Sequence, residues 1–180
     1  MKLVILDRDG VINHDSDQFI KSPDEWKPIP GSLEAIARLN QAGFKVVVAS
    51  NQSGLGRGLF CMDTLNRIHA KMHKMVAMAG GRIDAVFFCP HAADAECPCR
   101  KPQAGMFREI AERYHTDLTG VPAVGDALRD IQAALEVGAR PILVRTGKGR
   151  RTLASAALPE TVQVYDNLDA VARMLVELPS

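Results

Sequence analysis

Carboxylates follow two short apolar runs of this chain. The run from Lys2 to Leu6 leads directly into Asp7 and Asp9. The run from Val121 to Val124 leads, past one glycine, into Asp126. Asp7 and Asp9 are two residues apart, so on an extended backbone their side chains point to the same side. Two neighbouring carboxyl groups do not both ionise cheaply, and one keeps its proton unless a cation intervenes. The pair therefore suits a nucleophile, Asp7, beside a proton shuttle, Asp9.

Residues that could bind a phosphate ester lie next to two other predicted elements of secondary structure. Ser50 follows a valine-rich run, and Lys101 precedes a helical pattern. Lys101 would balance the charge of a phosphoryl group, and Ser50 would donate a hydrogen bond to it. Asp126 completes with Asp7 and Asp9 a set of hard oxygen ligands, which Mg²⁺ favours when it binds together with a substrate phosphate.

Each of these motifs has an ordinary explanation when it is taken alone. A single Asp-x-Asp is commonly a turn or a cap, Ser50 with Asn51 fits simple turn chemistry, and Asp126 could cap a helix. Their order along the chain, each beside the end of a predicted strand, is what indicates one shared site. In parallel α/β sheets the carboxyl ends of the strands meet at one rim, so these side chains are expected to converge there.

Four soft metal ligands lie within eleven residues, namely Cys89, His91, Cys97 and Cys99. Three thiols and one imidazole suit tetrahedral Zn²⁺ with every position filled by protein, which is a structural site. The alternative is a loop of cysteines without metal. A bound ion would hold in place the two cationic residues that follow the loop directly. The remaining cysteine, Cys61, is expected to pack in the core.

The composition limits the classes of protein to which this chain can belong. Among 180 residues, 22 are Lys or Arg and 21 are Asp or Glu, giving a net charge of +1. This balance offers no basic surface for nucleic acid or for a membrane. The N-terminus does not read as a signal peptide and no apolar run approaches a membrane span, so a cytoplasmic protein is expected. A monomer is the default expectation.

Short apolar runs alternate with helical patterns along the chain. This alternation predicts α/β architecture: a doubly wound, Rossmann-like parallel sheet with helices on both faces. The expected strands lie near residues 2–6, 44–49, 85–88, 121–124, 141–144 and 162–165. Ser32 and Asp63 are expected to cap helices, and Gly43 is expected to stop the first one. The length fits a single domain, 1–180.

Four segments resemble, in order, the motifs of the haloacid dehalogenase (HAD) superfamily of phosphatases. They are Asp7-Arg8-Asp9-Gly10-Val11, Ser50-Asn51-Gln52, Lys101-Pro102, and Gly125-Asp126 followed by Asp130. The resemblance covers nearly the whole chain. It implies no separate cap domain, because the intervals between the motifs are filled by elements that the sheet needs. Asp130 would either orient the water ligands of a metal or only favour the helix dipole.

The resemblance also implies roles for single residues. Asp7 would be the nucleophile and would pass through an aspartyl-phosphate, while Asp9 would protonate the leaving oxygen and later activate water. Mg²⁺ would be held by Asp7, by the backbone carbonyl of Asp9 and by Asp126. Ser50 and Lys101 would stabilise the phosphoryl group.

The cysteine loop and several other loop segments resemble superfamily members that act on a small sugar bisphosphate. They imply removal of the C7 phosphate of a D-glycero-D-manno-heptose 1,7-bisphosphate, a step toward the heptoses of lipopolysaccharide. Arg100 is the first candidate for binding the second phosphate, because a guanidinium binds phosphate in bidentate fashion, and Arg57 is a weaker one. Further candidate substrate contacts are Asp15, Ser16, Asp17, Gln18, Asn51, Gln52 and Ser53. The alternative for residues 15–18 is a polar surface loop.

Two other functions compete with this one. A histidinol-phosphate phosphatase shares the superfamily and the cysteine loop, but the arrangement Gln52-Ser53-Gly54 with Arg57-Gly58 favours the sugar. A non-catalytic, metal-stabilised binding module is disfavoured, because the complete set of expected catalytic side chains is present.

Overall fold

The parallel sheet predicted from the sequence is present in the computed structural model, which describes residues 1–155 and 157–178. Six strands of these residues pair in parallel in the order β3-β2-β1-β4-β5-β6. Their bounds are β1 Lys2–Leu6, β2 Phe44–Asn51, β3 Ala85–Cys89, β4 Pro122–Gly125, β5 Arg140–Val144 and β6 Gln163–Tyr165. This order defines a doubly wound sheet.

Helices cover both faces of the sheet. Their bounds are α1 Ser32–Gln41, α2 Ser53–Gly56, α3 Met62–Met78, α4 Gly105–Arg113, α5 Leu128–Glu136, α6 Gly149–Ser155 and α7 Leu168–Glu177, with a 3₁₀ turn at Pro23–Glu25. Alternate residues of β1 separate the two cores: Val4 and Leu6 pack with α1, α3 and α7, whereas Leu3 and Ile5 pack with α4 and α5. The alternation follows from the two-residue period of a strand.

The strand order reverses beside β1, which lies between β2 and β4. Crossovers leave in opposite directions from such a point, so a crevice opens beyond the carboxyl ends of β1 and β4, where α/β proteins bind ligands. The amide of Asp7 still pairs with the carbonyl of Val124, at 2.9 Å. The first residue after β1 is therefore held against β4.

Several local expectations differ from the structure. Ser32 is the first residue of α1 and not its cap, because its hydroxyl donates to the carbonyl of Val11 at 2.8 Å. Asp63 lies inside the first turn of α3, and Cys61 occupies the cap position. Cys61 is exposed, so the expectation that it packs in the core is wrong. Strand β2 runs to Asn51, so Ser50 belongs to the strand.

The connections between strands contain the helices of the two layers and loops at the rim. Within residues 1–155 and 157–178 we find no second folded unit over the sheet, in agreement with the expected lack of a cap domain. No helix of this part of the chain combines the length and the apolar character that crossing a membrane requires.

Candidate active site

Three buried carboxylates meet at the carboxyl ends of β1 and β4. Asp7, Asp126 and Asp130 each offer an oxygen, and these oxygens lie within 4.8 Å of one another. The ammonium of Lys101 lies 3.0 Å from Asp130 Oδ1 and 3.7 Å from Asp7 Oδ1, and it also donates to the carbonyl of Ala49. The structure therefore brings together groups that lie more than 100 positions apart in the sequence.

The carboxylates of this cluster have too little positive charge around them. Burial and the charge of Asp130 raise the pKa of Asp7 well above its usual value, against the opposing effect of Lys101. Burial and Asp130 likewise raise the pKa of Asp126 to about 7. Burial acts in the same direction on Asp130, but Lys101 and Arg129 outweigh it and lower the pKa of that carboxyl. Buried carboxylates in such surroundings favour the binding of a cation.

Asp9 lies in a different electrostatic environment. Burial raises its pKa, but the charge and the hydrogen bond of Arg8 outweigh that effect, and the net shift is downward. Arg8 Nε lies 2.7 Å from Asp9 Oδ1, and Asn13 Nδ2 donates to the same oxygen at 2.9 Å. One of the two carboxyls was expected to keep its proton, and the raised pKa belongs to Asp7 and not to Asp9, the expected proton shuttle.

Two glycines allow this close packing. Gly10 has φ 87°, and a Cβ at this position would lie 2.0 Å from Asp126 Oδ2. Gly125 ends β4, and a Cβ there would lie 2.3 Å from the Cβ of Asp130. Any larger residue at either position would push an acidic side chain out of the cluster.

A cavity of about 240 Å³ opens above the carboxylates. Nearly all the predicted site residues outside the cysteine loop line it, namely Asp7, Asp9, Asp15, Ser16, Asp17, Ser50, Asn51, Gln52, Ser53, Arg57, Arg100 and Asp126. Two do not: Gln18 is exposed outside it, and Lys101 is buried beneath it. Residues 15–18 thus contribute three side chains to the cavity.

Asn51 and Gln52, predicted as substrate contacts, also hold neighbouring groups in place. The side chain of Asn51 donates to the carbonyl of Lys101 at 3.2 Å and accepts from its amide at 3.0 Å. Gln52 Nε2 donates to Ser50 Oγ at 2.7 Å. These contacts fix the ammonium-bearing segment and the hydroxyl that face the carboxylates.

Two further cations of the cavity were not predicted as site residues. Arg129 lies in the first turn of α5, and Lys148 lies at the end of the loop that follows β5. Lys148 Nζ lies 3.1 Å from Asp15 Oδ2, and its amide donates to Asp126 Oδ2 at 2.9 Å. The signal in the sequence was their position beside predicted strand ends, but isolated basic residues there are usually solvated.

The cysteine loop forms a compact cluster beside the cavity. One ligand atom from each of Cys89, His91, Cys97 and Cys99 lies within 4.8 Å of the others. His91 Nδ1 is 3.3 Å from Cys89 Sγ and 3.2 Å from Cys99 Sγ. Backbone and side-chain hydrogen bonds outweigh desolvation and lower the pKa of Cys97 to about 7. Burial raises the pKa of Cys89 and of Cys99, so the support for a tetrahedral ion is the convergence of four soft ligand atoms.

The residue after this cluster points a guanidinium into the cavity. Arg100 lines the cavity wall, and its Nη1 is buried without a hydrogen-bond partner among the described residues. A buried donor of this kind is costly unless a ligand satisfies it. The cavity wall therefore carries a cationic side chain with a donor to spare.

Comparisons with known proteins agree with this fold and site. Residues 98–171 match the model of a family described as HAD-hydrolase-like. A Bordetella bronchiseptica protein named D-glycero-beta-D-manno-heptose-1,7-bisphosphate 7-phosphatase is 62% identical over 98% of this chain and 99% of its own length. A Pseudomonas putida protein of the same name is 54% identical over 98% of this chain and all of its own.

Solved structures give the same result. The crystal structure of D,D-heptose 1,7-bisphosphate phosphatase from B. bronchiseptica, complexed with magnesium and phosphate, superposes with a TM-score of 0.97 at 62% identity, covering 98% of this chain and 99% of that one. The Burkholderia thailandensis enzyme gives a TM-score of 0.80 at 54% identity, covering 99% and 100%. The chain belongs to this family of HAD-like heptose-bisphosphate phosphatases, and the resemblance inferred from the four motifs is confirmed.

Proposed function

We propose that this protein is a Mg²⁺-dependent phosphatase that removes the C7 phosphate of D-glycero-D-manno-heptose 1,7-bisphosphate and leaves heptose 1-phosphate. The observation that carries this function is 62% identity, over 98% of the chain, to a phosphatase of that name. The buried carboxylate cluster at the rim of the sheet supplies the chemistry. The product would serve the synthesis of ADP-heptose for lipopolysaccharide.

The reaction has two halves, both centred on Asp7. An oxygen of the Asp7 carboxylate bonds to phosphorus while the bond from phosphorus to the C7 oxygen breaks, and Asp9 gives that oxygen a proton. Asp9 then takes a proton from water, whose oxygen bonds to phosphorus while the bond from phosphorus to Asp7 breaks. Lys101 and Ser50 stabilise the phosphoryl oxygens throughout.

The charges around Asp7 and Asp9 favour a different protonation state for each carboxyl group. Asp7 must be ionised to attack, and because burial and the charge of Asp130 raise its pKa, a cation beside it would favour the reactive form. Asp9 is already a carboxylate at neutral pH, because Arg8 lowers its pKa. Asp9 is therefore ready as the base of the second half. For the first half it takes up a proton from solvent, because the negative charge of a substrate phosphate beside it favours the neutral carboxyl.

The carboxylate cluster fits Mg²⁺, which prefers hard oxygen ligands. We assign Asp7, Asp126 and the backbone carbonyl of Asp9 as its ligands. Both oxygens of Asp130 already accept hydrogen bonds from the protein. Its Oδ1 accepts from Lys101, and its Oδ2 accepts at 3.1 Å from the amides of Asp126 and Ala127. When bound, the ion neutralises the carboxylates and orients a phosphoryl oxygen.

The cysteine loop fits structural Zn²⁺, held by Cys89, His91, Cys97 and Cys99. The convergence of four soft ligand atoms within 4.8 Å supports this assignment. Because the four residues would supply all the ligands of such an ion, it would take no part in the chemistry. It would instead hold Arg100 at the cavity wall.

Arg100 binds the phosphate that stays on the substrate. The unpartnered Nη1 supports this role, because the C1 phosphate would satisfy it. Arg57 is exposed at the outer wall over the ring of Phe19, with its guanidinium carbon 5.6 Å from the ring centroid, and reaches the substrate only from outside. Asp15, Ser16 and Asp17 bind the sugar hydroxyls from the opposite rim.

The remaining assignments concern the whole protein. We propose that residues 1–180 form one catalytic domain that acts as a monomer on a small sugar bisphosphate and binds neither nucleic acid nor membrane. Three neighbouring thiols that ligate a metal need reducing surroundings, which supports a cytoplasmic location. Neither histidinol phosphatase activity nor a purely binding role is favoured by the relatives described above.

The substrate assignment is tested by measuring kcat/KM for three compounds: heptose 1,7-bisphosphate, histidinol phosphate and an aryl phosphate. We expect the heptose bisphosphate to be preferred over both others by about 100-fold or more, since only this compound engages Arg100 with a second phosphate. Equal or higher kcat/KM for histidinol phosphate would overturn the assignment.

A further inference from the structure

Arg8 stands between the two aspartates of the first motif, yet its side chain does not line the cavity. The residue is completely buried, and its guanidinium contacts three side chains from three different parts of the chain. Nε lies 2.7 Å from Asp9 Oδ1, Nη1 lies 3.1 Å from His69 Nε2, and Nη2 donates to Gln52 Oε1 at 3.3 Å. The guanidinium thus joins the end of β1 to the end of β2 and to α3.

His69 is an acceptor in this arrangement. It lies on the buried face of α3 and is 8% exposed. Burial, and then the charge of Arg8, lower its pKa to about 4, so the ring is neutral near neutral pH. Since arginine has only donors, Nε2 must carry the lone pair and accept from Nη1. The imidazole therefore anchors the guanidinium without adding charge.

The two oxygens of Asp9 have different surroundings. Oδ1 accepts from both Arg8 and Asn13, whereas Oδ2 makes no hydrogen bond within the described part of the chain. Asp9 lines the cavity, so the oxygen without a protein partner is the one available to the substrate. The same guanidinium reaches Ser50 through Gln52, whose amide nitrogen donates to Ser50 Oγ at 2.7 Å.

We infer that Arg8, anchored by His69, is a positioning residue that holds Oδ1 of Asp9 and thereby directs Oδ2 to the leaving oxygen. The inference rests on the proposed function, since it assumes that Asp9 transfers a proton to the leaving group. Two charge-assisted hydrogen bonds to one oxygen leave the carboxylate little freedom to rotate. A side chain 61 positions away from Arg8 in sequence then controls the geometry of proton transfer.

The test compares substrates that differ in their need for proton donation. A sugar alkoxide is a poor leaving group and requires the acid, whereas nitrophenolate departs without one. His69→Phe removes the acceptor but keeps a ring, and His69→Gln keeps an acceptor. We expect His69→Phe to lower kcat/KM for the heptose bisphosphate about tenfold or more, but that for nitrophenyl phosphate less than about threefold. His69→Gln should stay within about threefold of the wild type for both.

His73→Phe, one turn further along α3 at an exposed position, is the matched control. If His69→Phe melts below the assay temperature, His69→Leu replaces it, because it lacks the acceptor in a smaller volume. Equal losses of His69→Phe on both substrates, no loss on either, or a loss of His69→Gln on the heptose bisphosphate as large as that of His69→Phe overturns the inference.

Asp9→Asn separates this inference from the proposed function. If Asp9→Asn loses activity on the heptose bisphosphate far more than on nitrophenyl phosphate, Asp9 is the acid and the His69 variants report on its positioning. If Asp9→Asn loses equally on both, the assigned role of Asp9 fails first, and the role of Arg8 fails with it.

Discussion

Within residues 1–155 and 157–178, two clusters of side chains could hold a metal ion, and the fold positions them in different ways. Asp7 and Asp126 follow directly on β1 and β4, two neighbouring strands in the middle of the sheet, and both are buried. In the other cluster only Cys89 belongs to a strand, and the remaining ligands lie on a loop with partial or full exposure. The first cluster is built at the ends of central strands, whereas the second is formed mainly by a loop.

The electrostatic surroundings differ as well. The carboxylates have a buried cationic neighbour, Lys101, and a half-buried one, Arg129. Among the thiols, hydrogen bonds, the largest from the backbone of Arg100, lower the pKa of Cys97, whereas burial raises the pKa of Cys89 and of Cys99. We propose that the buried carboxylates carry the chemistry and that the loop governs the fit of the substrate. We expect substitutions in the carboxylate cluster to abolish catalysis and to leave the fold intact. Substitutions in the cysteine loop should lower both the stability of the fold and the specificity for the substrate.

The largest effect is expected for Asp7→Asn. Turnover should fall by about 1,000-fold or more, because the nucleophile is lost. The melting temperature should not fall, since burial already raises the pKa of Asp7 and so opposes its charge. The measurement pairs steady-state kinetics with thermal unfolding. Asp63→Asn, on the exposed first turn of α3, is the matched control. Residual turnover above a tenth of wild type would place the chemistry elsewhere.

Arg100→Ala tests whether Arg100 binds the second phosphate of the substrate or takes part in the reaction at the first. We expect KM for the heptose bisphosphate to rise about 10- to 100-fold, because a charged hydrogen-bonding partner is lost, with little change for a monophosphate aryl ester. Arg108→Ala, on the exposed surface of α4, provides the control. Parallel losses for both substrates would mean that Arg100 serves the reacting phosphate and not the second one.

Removal of the zinc ligands tests the loop itself. Cys97→Ser, or chelation of the ion, should lower the melting temperature by roughly 5–10 °C and kcat/KM for the heptose bisphosphate about tenfold. Cys61→Ser is the control, since this thiol is exposed and belongs to neither cluster. Unchanged melting and full activity after quantitative zinc removal would refute a structural role.

The smallest effect concerns His69 and pH. The unfolded histidine takes up a proton near pH 6.5, but burial and Arg8 keep the folded one neutral until about pH 4. Protonation therefore favours the unfolded chain, and the free energy of unfolding falls as the pH drops through this window, by on the order of 2 kcal/mol. His69→Gln lacks this group, so its stability relative to wild type should rise between pH 6.5 and 4. A constant difference across that range would contradict the lowered pKa.

The sequence predicted the sheet well because its strands are short apolar runs bounded by glycine, proline or polar residues. Because the carboxyl ends of parallel strands meet at one rim, the positions of these runs in the sequence also predicted that Asp7, Ser50 and Asp126 lie close together. The thiol cluster was predictable for a similar reason: its ligands lie within eleven residues of one another.

The features that the sequence did not predict depend on contacts between residues that lie far apart in the sequence. Arg8 reads as a surface residue of a polar motif, and only partners 44 and 61 positions away make its burial possible. His69 lies among the apolar residues of α3, where a histidine is usually only a core residue. Helix α6 is too short for a periodic pattern, and the exposure of Cys61 follows from its cap position at the surface.

The most direct test of the account is to follow both phosphates of heptose 1,7-bisphosphate by ³¹P NMR with the wild-type protein and with Asp7→Asn. The account predicts that the wild type converts the C7 signal to inorganic phosphate while the C1 signal persists, and that Asp7→Asn changes neither. Release of the C1 phosphate, or turnover by the Asp7→Asn protein at a rate near that of the wild type, would contradict it.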